Sequence, residues 1–588
     1  MKNFTLLLAA TFVFNTIARS QQDSLLLKKI NNTLQQQLTH TKSNYAFSAD
    51  SLKVHKDTLK IFFNTKKSFT KGTIPGGLIE SLPELLIHLT EQTHTSQLML
   101  LAKNQANGQW KTLDYFSDQP PVKPYIEPAN QDKFEPRKGK KKFQARNVFP
   151  TTASVPQGIL ANKTVWLSPG HGWYNENGAG FTTQRGNNNE LVEDFTTAES
   201  VDYYLTKYLY NAGANVWTVR ERDVNTNEII IDNSPSSASY IETGTWVNGT
   251  IPGYGGTYRV AGSEVTETAT ATFIANVVQS GYYWVSVRYI SGANRTVDAS
   301  FTVWHSGDST TYHLNQEVHG NTWVYLGYFY FTAGTDNRVV ISNKSSDPDQ
   351  AVIADAVRLG GGIGQLPDCT NGGAKSGKPR FEESARQYAP YQGFTTCLND
   401  VVTRPFYTEW ELAKGDSLEI KNAVYVSWHT NAGGGTGTET YSYNGGGSSQ
   451  PNITPGSVEL RNYIHNQIVA DIRAGWKSTW GDRGVKTANF GELRELRAIP
   501  GILMELAFHD LAADANELKH PEFRRLAARA IYKGIVKFFN NRDGIPLAFL
   551  PEEPDHVMAK NIGSSKIQLS WAAPATGGIL GLINNLRC

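Results

Sequence analysis

A chain of 588 residues is longer than one hydrophobic core organises, so about three or four domains are expected. Fifty-six Lys and Arg against 54 Asp and Glu leave a net charge of +2, which excludes both the basic footprint of a nucleic-acid binder and an acidic tail. Three cysteines with no CxxC pair exclude a zinc-finger site, and a composition rich in Gly (52), Tyr (26) and Trp (13) suits β-rich exported domains that touch carbohydrate.

At the N-terminus, Lys2 is followed by an apolar run, Phe4–Phe14, too short to span a bilayer. Ala18 and Ser20 stand where a signal peptidase reads small residues. Residues 1–20 are therefore expected to be a signal peptide cleaved after Ser20, making the protein secreted or periplasmic. No cysteine follows the run to carry a lipid anchor, and no other stretch is apolar enough to be membrane-spanning. Residues 21–145 read as an accessory domain and linker. Alternation over 48–64 predicts strands, and helical spacing over 77–92 predicts a helix with Pro83 near its start. This domain is expected to be a prodomain or packing module without chemistry. The linker ends in a basic run, 135–146, read as a solvated segment.

The stretch Thr164–Gly172, TVWLSPGHG, predicts a buried strand that breaks at Ser-Pro-Gly and delivers His171 between two glycines. A polar loop (172–189), a helix over 191–212 ended by Gly213, and a strand in 215–223 complete a β-loop-α-β unit. From 232 to 360 helical signals stop. Short alternating runs such as GYYWVSVRYI and TWVYLGYFYF predict an all-β sandwich. Alternation makes most of Tyr282, Tyr283, Trp284, Trp304, Trp323 and Tyr325 core positions, the remainder being open to a sugar. The α/β pattern then resumes, with strand NAVYVSWHTNA (422–432), a helix over 457–474, a strand after Pro500 and an amphipathic helix from Pro521. The expected fold is thus multidomain. An α/β catalytic domain (160–231 and 361–541), with a mixed, mostly parallel sheet flanked by helices, is interrupted by a β-sandwich (232–360). Cys369 and Cys397 flank a Gly-rich loop, as one disulfide or two thiols. Nothing is read from Cys588.

The chemistry lies at strand ends. His171 and His429 each end a strand, and strand ends on the carboxyl side of an open α/β sheet converge on one crevice. Glu193 or Glu190, at the start of the helix between them, supplies a carboxylate. Two imidazoles and a carboxylate suit Zn²⁺ with a fourth position for water. Glu505, in the uncharged run LMELAF, can take that water's proton and pass it to a leaving amine. Each residue alone has a plain structural role: a turn histidine, a strand cap, an acid at a helix N-terminus, or a Glu505–Arg494 ion pair. Two His and one Glu at three strand ends are harder to explain that way, because a buried acid without task or partner is costly.

These motifs resemble the type 3 N-acetylmuramoyl-L-alanine amidases, zinc-dependent peptidoglycan amidases. The resemblance lies in WLSPGHG (166–172), VEDF with the helix to NAGANVWTVRERD (211–223), VSWHTNA (426–432), RGVKTANFGELRELRAIPGILMELAF (483–508) and the closing helix. It implies zinc on His171, Glu193 and His429, with Glu190 in reserve, and Glu505 as catalytic acid/base. It also implies peptidoglycan as substrate, cut between N-acetylmuramic acid and L-alanine. Arg483, Asn489 and Arg494 are candidates for holding polar groups of the substrate, and His509 lies outside the ligand set. The runs GYYWVSVRY and IADAVRL resemble golvesin C-terminal-like, carbohydrate-module-like sandwiches, which implies glycan contact. Residues 551–588, with Trp571, resemble the opening of a fibronectin type III domain, and only 38 residues remain for a fold that needs ~100. The alternatives are a cell-wall-binding protein with an inactive amidase core, which an intact His/Glu/His/Glu set disfavours, and another zinc amidohydrolase. HExxH is absent.

Overall fold

The computed structural model describes residues 2–572 except 42, 44, 65–66, 121, 123–157, 177, 179, 235–237, 371–372, 448, 553 and 564–565, with the side chains of 1–20 and 555–556 also left out. The basic run at 135–146, most of the linker before it, and Cys588 lie outside the described residues.

The centre of the molecule is a six-stranded sheet. Its order is Asp482–Ala488, Thr438–Tyr443, Gly501–Phe508, Ala423–Asn431, Thr164–Pro169, Asn215–Thr218. All neighbours run parallel except Thr438–Tyr443 against Gly501–Phe508. Four of these strands are buried along their whole length, as expected where helices cover both faces. One cover is the helical run from Glu193 to Asn211, which passes through a π-turn at Val201–Leu205. With it pack Ser457–Gly475 and Pro521–Asp543, whose Ile464, Ile468, Phe523, Ile531 and Ile535 join one core with Val165, Leu167, Val424 and Met504. Asp400–Leu412 carries the side chains described below. Its start is set by Asn399, whose side chain accepts from Val402 N.

The sandwich is all antiparallel. A five-stranded sheet faces a four-stranded sheet made of Val324–Phe331, Gly281–Arg288, Ala356–Leu359 and Ile229–Asp232. Ile229–Asp232, placed before the boundary by the sequence, pairs with Ala356–Leu359, so the sandwich starts where its last strand ends. Tyr283, Trp284 and Trp323 are core, whereas Tyr282 is 54 % and Trp304 40 % exposed. Cys369 and Cys397 are joined.

The N-terminal module has a four-stranded sheet (Ala49–His55, Thr58–Phe63, Gln97–Lys103, Trp110–Thr112). A helix, Lys2–His40, buries Leu26, Ile30, Leu34 and Leu38 against the module. A second helix, Gly76–Leu86, contains Pro83 well inside it, and a short turn of helix follows at Leu89–Gln92. Pro83 is the eighth of the helix's 11 residues rather than near its start, and the chain breaks after Leu86, within a turn of the proline, where the sequence suggested one continuous helix. The module does not stand apart. Its Leu78, Leu82, Leu98 and Leu100 share one hydrophobic cluster with Tyr441, Phe490, Leu493 and Leu503 of the central sheet region. No described helix is long and apolar enough to cross a membrane. Asp555–Gly563 and Lys566–Ala572 pair antiparallel, with Trp571 exposed.

Candidate metal centre

His171 follows the strand Thr164–Pro169 at its carboxyl end. Gly172 has φ +98°, and a Cβ there would sit 2.8 Å from the Glu382 carbonyl oxygen, so this turn requires glycine. At Gly170 a Cβ would sit 2.7 Å from Thr197 Oγ1, which lets the strand end lie directly against the helix that begins at Glu193. Asp194 fixes the following loop by accepting from Gly172 N (2.6 Å) and Gln184 N (3.1 Å). Ala423–Asn431 brings in His429, and its register partner on the parallel strand Gly501–Phe508 is Glu505.

The result is a closed cluster. His171, Glu193, His429 and Glu505 are all at least 96 % buried, and the two imidazole rings lie 5.0 Å apart. His429 Nδ1 is 3.0 Å from Glu193 Oε1, which also accepts from Thr430 N. Glu190 sits outside with its side chain 93 % exposed, 3.6 Å from Lys519. Arg494 pairs with Glu80 and Glu495, leaving Glu505 Oε2 with no hydrogen-bond partner. His509 is buried, its Nδ1 3.0 Å from Thr430 Oγ1 and 3.9 Å from Glu193 Oε2.

Several members of the site were not read from the sequence. Glu84, from the N-terminal module, places Oε2 3.3 Å from His171 Nε2, and with His171 and His429 it forms a group whose ligand atoms lie within 4.8 Å of one another. Arg185 Nη2 donates to the same Glu84 oxygen at 2.9 Å, and Arg185 Nε lies 3.4 Å from Glu193. Behind the histidines stand two carboxylates. Asp400 is 3.2 Å from His171 Nδ1, and Glu492 is 3.3 Å from His429 Nε2. Arg404 bridges them, 2.8 Å from Asp400 and 3.3 Å from Glu492. Glu492 is further held by the Ser168 and Tyr425 hydroxyls, each at 2.6 Å. Each imidazole therefore has one nitrogen fixed by an outer carboxylate and the other turned inward, the arrangement that orients metal-binding histidines.

The carboxylates around the two imidazoles outweigh the effect of their burial. Burial opposes protonation of His171, but Asp400 and Glu84 outweigh it and raise its pKa above the ordinary histidine value. His429 is raised further, burial again being outweighed by Glu193 and Glu492. Burial, with the charges of Glu193 and Glu84, pushes Glu505 well above the carboxylate range. His171 Nε2, Glu84 Oε1, Glu193 Oε2 and Glu505 Oε2 are all buried with no hydrogen-bond partner, and native proteins seldom leave such atoms unsatisfied. The donor set of imidazole nitrogens and carboxylate oxygens fits a divalent metal.

Comparison with known proteins agrees with this architecture. Residues 412–537 match the model of the N-acetylmuramoyl-L-alanine amidase domain, and residues 229–361 that of the golvesin C-terminal domain. The chain therefore combines an amidase-type domain, with a mixed sheet and helices, and an all-β region. The first match includes His429, Glu492 and Glu505. A sporulation-specific N-acetylmuramoyl-L-alanine amidase of Bacillus subtilis (strain 168) is 36 % identical over 116 residues, 20 % of this chain and 40 % of the relative. The amidase CwlM of Bacillus licheniformis is 42 % identical over 118 residues, again 20 % of this chain and 40 % of the relative. A solved N-acetylmuramoyl-L-alanine amidase from Clostridium difficile 630 is 28 % identical, covering 20 % of this chain and 59 % of that one, with a TM-score of 0.18. The chain thus spans about two-fifths of the length of the curated relatives it matches.

Proposed function

We propose that the protein is an exported zinc-dependent N-acetylmuramoyl-L-alanine amidase that hydrolyses the amide between N-acetylmuramic acid and L-alanine in peptidoglycan. The observation that carries this reading is the buried group of Glu84, His171 and His429, whose ligand atoms lie within 4.8 Å of one another, with Glu193 against His429, in a chain whose relatives bear that name. His171 Nε2, His429 Nδ1 and a Glu193 oxygen would hold the metal, and two nitrogens with one carboxylate suit zinc. When bound, zinc polarises the scissile carbonyl and lowers the pKa of a water to ~7. Glu505 takes a proton from the attacking water and returns it to the departing L-alanine nitrogen. Asp400 and Glu492, tied by Arg404, hold the two imidazoles in the tautomers that face inward. The exposed Tyr282 and Trp304 of the sandwich are positioned to contact glycan, and residues 1–20 act as the export signal.

The test is release of new L-alanine amino termini from purified peptidoglycan, followed by chromatography of the freed stem peptides. Wild type is expected to release them in a chelator-sensitive, zinc-restorable way. Glu505→Gln is expected to lose about 10²–10⁴-fold in rate while holding zinc with little change. A folded, zinc-loaded wild type that releases no stem peptide sinks the assignment.

A further inference from the structure

Asp400, which stands behind His171, is the first residue of the helix Asp400–Leu412. The chain reaches it through an irregular strap, residues 394–399, that belongs to no helix or sheet. The backbone of such a segment must find its partners elsewhere. The Leu398 carbonyl accepts from Arg386 Nη1, Asn399 N donates to Gln119 Oε1 at 2.8 Å, and Asp400 N donates to Glu176 Oε1 at 2.7 Å. Cys397 lies in the same strap and is bonded to Cys369. The place of Asp400 is therefore set by how firmly the strap is held.

The other side of the disulfide is built around Asp368. This buried carboxylate accepts from Arg386 Nε at 3.1 Å and Nη2 at 3.3 Å, from Gln387 Nε2 at 2.5 Å and from Thr370 N at 2.8 Å. Arg386 is buried as well, and its one guanidinium joins Asp368, the Cys397 sulfur at 3.5 Å and the Leu398 carbonyl. Thr370 Oγ1 donates to the Asn175 carbonyl at 3.2 Å, in the loop that follows His171. Residues 368–370 thus touch both flanks of the His171–Asp400 pair: the strap before Asp400 and the loop after His171. They lie in a stretch, 364–378, that contains four glycines. Glycine loses the most freedom on ordering, and a cross-link reduces that cost by restricting the unfolded chain. Cys369 itself is exposed, which leaves the bond open to exchange.

We propose that the Cys369–Cys397 disulfide is a positioning element of the metal centre: through Arg386 and the 394–399 strap it holds Asp400 behind His171, so that His171 keeps its metal-binding orientation only once the bond has closed. The inference rests on the exported, metal-dependent reading above and extends it from the ligands to the state of two cysteines. Closure is a two-electron exchange. The two thiols lose their protons, a sulfur–sulfur bond forms between them, and a disulfide of the oxidising compartment takes up the electron pair and leaves as a dithiol. Thiols prevail in the cytosol. The chain then holds its metal weakly where it is made and tightly after export.

The test uses the full chain in three forms: oxidised, reduced with a phosphine, and as Cys369→Ser/Cys397→Ser, which has no thiols at this place to bind metal themselves. Zinc affinity is read by competition with a chromogenic chelator, and loading with Co²⁺ gives a visible d–d spectrum that reports the ligands. Reduction and the double serine variant are each expected to lower affinity about 10–100-fold and to alter the Co²⁺ bands, as loss of a carboxylate behind a metal-bound histidine does. Asp400→Asn is expected to lose as much with the disulfide intact, and reduction then adds nothing, because both changes act through one contact. Arg386→Gln keeps the disulfide and Asp400 but cuts the tie to Leu398. It is expected to behave as the reduced protein does, so the test survives if Asp400→Asn fails to fold. Zinc affinity that stays within about twofold on reduction overturns the inference even if the melting temperature falls, since the bond is then a staple and no more. Additive losses from reduction and Asp400→Asn overturn it as well. Stem-peptide release is measured alongside: if affinity falls as expected while no form releases stem peptide, the brace stands and the peptidoglycan reading fails.

Discussion

Glu492→Gln separates the shape of the centre from its charge. The substitution keeps the size of the side chain and the hydrogen bonds from Ser168 and Tyr425, both 2.6 Å from Oε1. It removes the negative charge 3.3 Å from His429 Nε2, the interaction that turns Nδ1 towards Glu193. It also leaves Arg404, fully buried, with Asp400 as its remaining carboxylate partner. Loss of a carboxylate behind a metal-bound imidazole typically lowers metal affinity about 10–100-fold, or roughly 1.4–2.7 kcal/mol. Titration against a chromogenic chelator measures this directly, and Glu190→Gln, on an exposed side chain, serves as the control that should not move. A Glu492→Gln protein that holds zinc within about twofold of wild type would refute the view that this carboxylate orients a ligand. A fall accompanied by a collapse of the metal-free melting temperature would place the loss in folding instead.

Two further outcomes are expected. His319 lies buried between Glu411 and Glu419, at 2.9 and 2.7 Å, and these charges raise it to about 9 against the opposing effect of burial. Its stabilisation is complete below pH ~6.5 and is lost as pH rises towards 9, while Lys414, lowered by burial to about 8, begins to offset the loss above that pH. Denaturant midpoints should therefore fall between pH ~6.5 and 8 by on the order of 2 kcal/mol, and His319→Gln should flatten that slope, whereas a parallel decline in the variant would assign it elsewhere. Gly172→Ala should cost about 1–3 kcal/mol and weaken zinc binding together, since the turn that aims His171 has φ +98°. Unchanged melting would show that the turn relaxes freely.

The catalytic half of the fold is legible because its strands are continuous apolar runs and its helices carry a clear apolar stripe. His171, His429 and Glu505 stand out for the same reason: each interrupts or ends such a run, and the register between parallel strands sets His429 beside Glu505. Glu193 and Glu190 share one short acidic stretch, and only the helix start at Glu193 separates the buried one from the exposed one. Asp400, Arg404 and Glu492 carry no comparable mark. Asp400 and Arg404 lie on one helix at i, i+4, which reads as an ordinary surface ion pair until the helix is seen to be covered. Glu84 is less legible still. In an amphipathic helix an acid next to a proline reads as solvated, and only the docking of two distant units makes it a possible ligand.

The sandwich leaves and rejoins the catalytic unit through strands that are each other's neighbours, Ile229–Asp232 and Ala356–Leu359. An inserted body whose two ends meet asks nothing of its host but a single gap, and domain insertion is tolerated at such places. The host nevertheless grips it. Arg358 reaches Glu221 at 2.8 Å, Tyr325 also bonds Glu221, and the His319 cluster closes the other side. The sandwich is thus a cassette in topology and a fixed bracket in mechanics: exchange for another module is simple for the backbone, but the replacement must bring its own arginine for Glu221, or strand a buried acid at the joint.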